Sequence, residues 1–190
     1  AGTTPTALRH DAGLAAAKVN VFLRQLVEKS GGVATVGCIE FKPNAINVIP
    51  SKAVFTVDLR NPDKEKLDND EKILAAYLKD LAKEDDVKIS TERLTEFDPV
   101  PFDEGIVEKV EKAAKAHGLS VRRITSGAGQ DAQMIARICP TAMIFVPSVK
   151  GISHNPEEYT KDEDVLAGAG VFLDVVMDMA VVGVPAARNN

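Results

Sequence analysis

One stretch, residues 126–160, constrains the fold more than any other: SGAGQDAQMIARICPTAMIFVPSVKGISHNPEEYT. It reads as a Gly-rich turn feeding a short helix over 130–138, then an unbroken apolar strand over 141–146. A Gly/Ser/Pro loop carrying one histidine, His154, follows. The loops that leave successive strands of a parallel sheet emerge on one edge, and open α/β sheets bind ligands at that edge. The order therefore predicts an α/β unit with two polar loops at one end of a buried strand.

The same alternation extends to both sides. Residues 103–117 carry a helical apolar period closed by Gly118, and 119–124 read as a strand. Thr160 with Glu163 forms a capping box for a last helix whose expected core face is Val165, Leu166, Ala169, Phe172, Leu173 and Val176. Two strands cannot cover this much apolar helix surface, so more sheet is expected from elsewhere. The tail after Val182 is expected to fray.

Asp98, Pro99, Val100 and Pro101 form the clearest linker, and the pattern ahead of it differs. A helix over 6–29 is stopped by Ser30, Gly31 and Gly32, and strands over 33–41 and 53–59 follow. Asn61 is the expected cap of a second helix with Pro62 at its first position, and 87–97 reads as a further strand. Val54, Thr56, Asp58 and Arg60 alternate with Phe55, Val57 and Leu59, so Asp58 and Arg60 share the polar face. The fold class is thus α/β (α+β). A two-layer domain over 1–98 has an antiparallel sheet with both helices on one face, one strand short of a split motif. A βαβα part occupies 99–190.

Composition narrows the partners. A net charge of -5 with no offsetting Lys/Arg cluster argues against nucleic acid and anionic membranes. No apolar run is long enough to cross a bilayer and no signal pattern opens the chain, which predicts a soluble, cytoplasmic protein that binds small molecules or another protein. Cys38 and Cys139 lack zinc-knuckle or redox spacing and are expected to be buried thiols. The chain starts at Ala1 in a loop-like segment, which reads as a fragment or a processed piece.

The residues themselves leave several roles open. Gly127 and Gly129 before a helix suit either an anion cradle or plain turn chemistry, and the pattern is neither GxGxxG, nor a Walker loop, nor GxSxG. His154 is a metal-ligand type without an HxxxH or HxD partner, or else a solvated loop histidine. His10 and His117 read as surface residues, the latter suited to a helix C-terminus. Arg60 either grips a carboxylate with its planar fork or pairs with Asp58 or Asp63.

AGTTPT with Arg9–Ala12, NAINVIP, VDLR, SGAGQDA and FVPSVKGISHNPEEYT together resemble the C-terminal half of the zinc amidohydrolases that hydrolyse carbamoyl-amino acids. That family includes N-carbamoyl-L-amino-acid hydrolases, beta-ureidopropionases and allantoate amidohydrolases, relatives of the aminoacylase and carboxypeptidase metallopeptidases. The resemblance covers nearly the whole chain. It implies that residues 1–98 are a lid that also mediates homodimerisation, and that 99–190 complete a catalytic domain.

The resemblance also implies roles. His154 matches the last zinc ligand, with manganese, cobalt and nickel as alternative metals. Asn47 and Arg60 match the pair that holds the substrate carboxylate, and Gly127 and Gly129 the turn whose backbone faces the substrate. Gln130 stands where many relatives carry a histidine that helps stabilise the tetrahedral intermediate; an amide still donates a hydrogen bond there but cannot shuttle a proton. The other metal ligands and the general-base glutamate belong to the half that this sequence does not match. The parent is expected to be a metal-dependent hydrolase of linear C–N amide bonds, and this chain alone to be inactive and without a held metal. A non-enzymatic dimerisation or ligand-binding module of the same fold is the alternative.

Overall fold

A computed structural model describes residues 1–182 of the chain. The fraying predicted after Val182 lies outside the described residues. The described residues form a mixed α/β chain with five α-helices and short antiparallel ladders, and the chain divides into two units, Ala1–Pro99 and Val100–Asn190.

In the first unit, α1 (Ala12–Ser30) starts where the Asp11 carboxylate accepts from the backbone N–H groups of Gly13 and Leu14. This cap takes the place of the predicted start at residue 6, where only a 3-10 turn, Thr6–Leu8, forms. Gly31, in the left-handed region at φ 80°, ends α1 as expected. The predicted strands over 33–41 and 53–59 are each broken. β1 (Val33–Thr35) pairs with β4 (Asp58–Arg60), and β2 (Ile39–Lys42) pairs with β3 (Lys52–Phe55), both antiparallel. Between the two ladders, Val36, Gly37 and Cys38 face only Thr56 and Val57. One inserted residue, a bulge, interrupts the hairpin without ending it.

Helix α2 (Lys64–Glu84) is capped by Asp63, not by Asn61. The Asn61 side chain instead accepts from the Asp63 N–H, 3.1 Å away, and is buried in the turn. Ala15, Val19 and Leu23 of α1 meet Leu81 of α2, with Ala34, Val36 and Phe55 from the hairpin packed against them. Leu23 and Leu81 are 1% exposed, and burying each contributes about 2 kcal/mol. Both helices and the hairpin thus share one core. Val87 and Ile89 join it, but residues 87–97 make no ladder. The predicted third strand forms no ladder among the described residues, because strand pairing needs a neighbour at hydrogen-bonding distance.

In the second unit, α3 (Glu104–Ala116) is capped by Asp103, whose carboxylate accepts from Ile106 N–H at 2.9 Å, and is followed by Gly118 at φ 70°. Helix α4 (Asp131–Ile135) is shorter than predicted; after it the chain tightens into turns, and Ile138 is exposed. The predicted strands over 119–124 and 141–146 form no ladder, since neither lies beside a strand among the described residues. Helix α5 (Asp162–Val182) begins with Lys161 O accepting from Val165 N–H, so Lys161, not Thr160, occupies the cap position.

Helix α5 lies close to the 141–146 segment, because a side chain on Gly168 would come within 2.4 Å of Val146. It is apolar on several faces, and the one it buries is not the predicted one. Val171 and Val175 are buried, whereas Val165, Leu166, Phe172, Leu173 and Val176 are exposed. The buried face is the one turned to α3, where His117 Nε2 lies 2.7 Å from Asp174 and Lys109 pairs with Asp178. Cys38 and Cys139 are exposed, contrary to expectation. Cys38 sits in the bulge and Cys139 in the turn after α4, and neither belongs to a packed element. No helix among the described residues is long and apolar enough to cross a membrane.

Candidate functional site

Each unit carries part of the predicted set. In the second unit, His154 stands on a loop fixed from several directions. Val149 N–H donates to Tyr159 O at 2.8 Å and closes the base, while Glu158 N–H donates to Asn155 O and Glu157 N–H to the Asn155 side chain. His154 N–H donates to the Glu158 carboxylate at 2.7 Å. The histidine is exposed and holds φ at 54°, a conformation that costs a non-glycine residue roughly 1–2 kcal/mol. Glu158 is the residue that reading the sequence missed; the acid four positions after His154 is the only signal for it.

The SGAG turn leads into α4. Gly127 and Gly129 do not adopt positive φ, and a side-chain carbon added at either would meet no atom within 4 Å. Neither backbone conformation nor local packing accounts for glycine at these positions. Gln130 occupies the cap position of α4 with an exposed side chain that makes no capping bond.

In the first unit, Arg60 ends β4. Its Nε and one terminal nitrogen donate to the two Asp58 oxygens at 2.8 and 2.5 Å. The hydrogen bond from Arg60 lowers the Asp58 carboxyl below its usual range, against a smaller opposing effect of burial. Both side chains are about half exposed. Asn47 lies elsewhere, in the loop between β2 and β3, where its backbone carbonyl accepts from Gly2 N–H at 2.8 Å. The same loop holds the start of α1, through Ala12 N–H to Pro50 O at 3.2 Å.

Arg60 marks the opposite end of α1. It is laddered to Val33, and a side chain on Gly32 would come within 2.6 Å of Arg60 O. Between the Lys42–Lys52 rung and the Val33–Arg60 rung the hairpin covers about 25 Å at the usual strand rise. The helix beside it, 19 residues long, spans a similar length. Within one chain, therefore, Asn47 and Arg60 are not brought together.

No group of three or more His, Cys, Asp or Glu side chains that could hold a metal comes together among the described residues. Catalytic zinc uses about three protein ligands, so these residues alone do not fit it.

Residues 5–178 match the model of peptidase family M20/M25/M40. The chain is 40% identical over 181 residues to an N-carbamoyl-L-amino-acid amidohydrolase of Rhizobium meliloti, covering 94% of this chain and 44% of that protein. It is 36% identical over 185 residues to an allantoate amidohydrolase of Escherichia coli (strain K12), with 95% and 44% covered. The crystal structure of AtUAH in complex with glyoxylate superposes with a TM-score of 0.88 at 34% identity, over 95% of this chain and 44% of that one. The chain thus spans less than half the length of these relatives.

Proposed function

Because the chain belongs to peptidase family M20/M25/M40, we propose that it is the C-terminal part of a metal-dependent amidohydrolase that cleaves the linear C–N amide bond of N-carbamoyl-amino acids or related ureido acids. The observation that carries this reading is His154, exposed at left-handed φ on a loop pinned by Glu158. His154 is one metal ligand; the rest of the set, and the chemistry the metal supplies, belong to other parts of the whole protein. The first unit acts as lid and dimerisation domain, and the second completes the catalytic domain.

The chain's own residues bind and orient. Arg60 takes the substrate carboxylate in its fork, exchanging the Asp58 carboxylate for that of the substrate. The backbone of Gly127 and Gly129 faces the ligand without side-chain obstruction. Gln130 donates a hydrogen bond to the oxygen that gains charge as the carbamoyl carbon becomes tetrahedral. If Asn47 and Arg60 both contact one carboxylate, the roughly 25 Å of hairpin between Arg60 and the loop that carries Asn47 calls for two copies of the chain, which agrees with a homodimer.

In the whole protein containing this chain, Arg60→Lys keeps the charge and loses the fork. The specificity constant should fall about tenfold to a hundredfold for substrates with a free carboxylate and little for their amide analogues. Equal losses for both substrates make Arg60 a structural partner of Asp58. Mixing Asn47→Ala with Arg60→Lys subunits should restore about a quarter of wild-type turnover, because random pairing gives heterodimers with one intact and one doubly altered site. No restoration assigns both residues to one subunit or removes one of them from the site. Carboxylate binding without turnover in the whole protein would favour the non-enzymatic binding module.

A further inference from the structure

Asp58 already makes with Arg60 the bond that a substrate carboxylate would make. Residues two apart on a strand share a face, so the two side chains of β4 meet without help from another element. Arg60 Nε donates to one Asp58 oxygen at 2.8 Å, and a terminal nitrogen donates to the other at 2.5 Å. Two parallel N–H···O bonds from one edge of a guanidinium are the arrangement in which arginine grips any carboxylate. The hydrogen bond from Arg60 also holds the Asp58 carboxyl below its usual range, so the occupant is charged at neutral pH. A carboxylate ligand for the fork is thus built into the chain.

The geometry makes this occupant displaceable. Both side chains are about half exposed, and Val33, on the rung opposite Arg60, is exposed as well, so solvent reaches the pair. Thr35 stands on the rung opposite Asp58, and β1 therefore sets no charged side chain directly across from either residue. The pair opens by rotation of its side chains alone, with the backbone bonds of the ladder intact. Solvent screening keeps an exposed ion pair weak. Another carboxylate can therefore compete with Asp58 on nearly equal terms.

We infer that Asp58 is an intramolecular competitor for the carboxylate of the substrate, a residue that sets how tightly substrate and product are held. The inference rests on the proposed role of Arg60 as the carboxylate fork. Hydrolysis at the carbamoyl carbon leaves the carboxylate at the other end of the substrate unchanged, so the product presents the same group to Arg60. A fork without an internal occupant would hold that product as tightly as it holds the substrate. Asp58 weakens both by the fraction of time it fills the fork, and its return to Arg60 opposes rebinding of the product. For a half-exposed pair that fraction amounts to a change of about two- to fivefold in apparent affinity.

The whole protein containing this chain tests it, with the KM for N-carbamoyl-alanine from kinetics and the Kd for alanine from titration calorimetry. Asp58→Asn removes the competing carboxylate at nearly constant volume, and both constants should fall about two- to fivefold. Asp58→Ser should give the same result and serves if the asparagine variant fails to fold. Arg60→Met removes the fork and should weaken alanine binding about tenfold or more. In that background Asp58→Asn should change neither constant, because competition needs the fork whereas simple charge repulsion does not. A gain that persists in Arg60→Met assigns the effect to repulsion and overturns the competitor. No change in Asp58→Asn overturns it too, and a rise in both constants makes Asp58 a positioning residue that aims the guanidinium. Arg60→Met with alanine binding intact overturns the fork itself, an outcome distinct from the failure of the competitor alone.

Discussion

The two units hold similar amounts of helix but bury it differently. In the first, α1 and α2 turn their apolar faces onto a hairpin of the same unit, and Ala15, Val19, Leu23 and Leu81 disappear from solvent. In the second, α3 and α5 lie together and Ala114, Val171 and Val175 are buried, while Leu166, Phe172 and Leu173 of α5 are 72, 61 and 59% exposed. The difference is one of partners. A hairpin supplies its own hydrogen-bonded neighbour within a few residues, whereas strands of a parallel sheet pair only through long connections. The first unit can therefore assemble a sheet locally, whereas residues 119–124 and 141–146 of the second make no ladder among the described residues.

The sharpest test of that contrast is truncation on each side of it. Leu23→Ala should cost the first unit about 2–5 kcal/mol, and Leu166→Ala should stay within about 0.5 kcal/mol. Urea unfolding followed by amide exchange in α1 and in α5 separates the two effects. A large loss at Leu166 would mean that the exposed face of α5 is covered in solution.

Asp70 refines the picture of the first core. It is 1% exposed in α2, and its Oδ2 has no hydrogen-bond partner among the described residues. Asp70→Asn removes a buried carboxylate at nearly constant volume and should stabilise the unit by about 1–3 kcal/mol, read as a raised melting temperature. A loss of stability instead would identify an ordered water or ion as the partner of Asp70.

Helix caps should ignore the contrast, because a cap's energy resides in one turn. Asp63→Ala in the first unit and Asp103→Ala in the second should each cost about 1 kcal/mol in their own unit. Exchange rates in the first turns of α2 and α3 report the loss. A much larger cost at Asp103 would mean that its carboxylate holds more of the second unit than the first turn of α3.

The smallest expected effect is the Asp58–Arg60 pair. The hydrogen bond from Arg60 holds the Asp58 carboxyl below its ordinary range in the folded chain. Its contribution is therefore complete above the unfolded carboxylate value of about 4 and is lost as pH falls through the lower folded value. Solvent screening of two half-exposed side chains keeps it small. In Arg60→Lys, the carboxyl titration followed by NMR should move up towards the ordinary value. An unchanged midpoint would show that the fork does not hold the carboxylate.

Much of this was legible from residue order. Gly31 and Gly118 stop their helices where a left-handed residue is needed, and the period-two alternation put Asp58 and Arg60 on one face, where they pair. The loop that presents His154 was legible as well. Its pinning by Glu158 was not, because a side-chain bond to a backbone N–H leaves no periodic trace. The places of Asn47 and Arg60 in the unit were not legible in sequence: the loop and β4 send them to opposite ends of α1.

The sequence by itself determined where the long helices fall, the glycine stops of α1 and α3 and the alternation of strand faces, because a helix satisfies its hydrogen bonds within its own segment and a strand's faces follow from its pleat. Tertiary structure decided which extended segments became strands, where the hairpin took its bulge and which side of α5 was buried. A strand's hydrogen bonds belong to its neighbour, and a helix apolar on several faces contains no period that selects one of them.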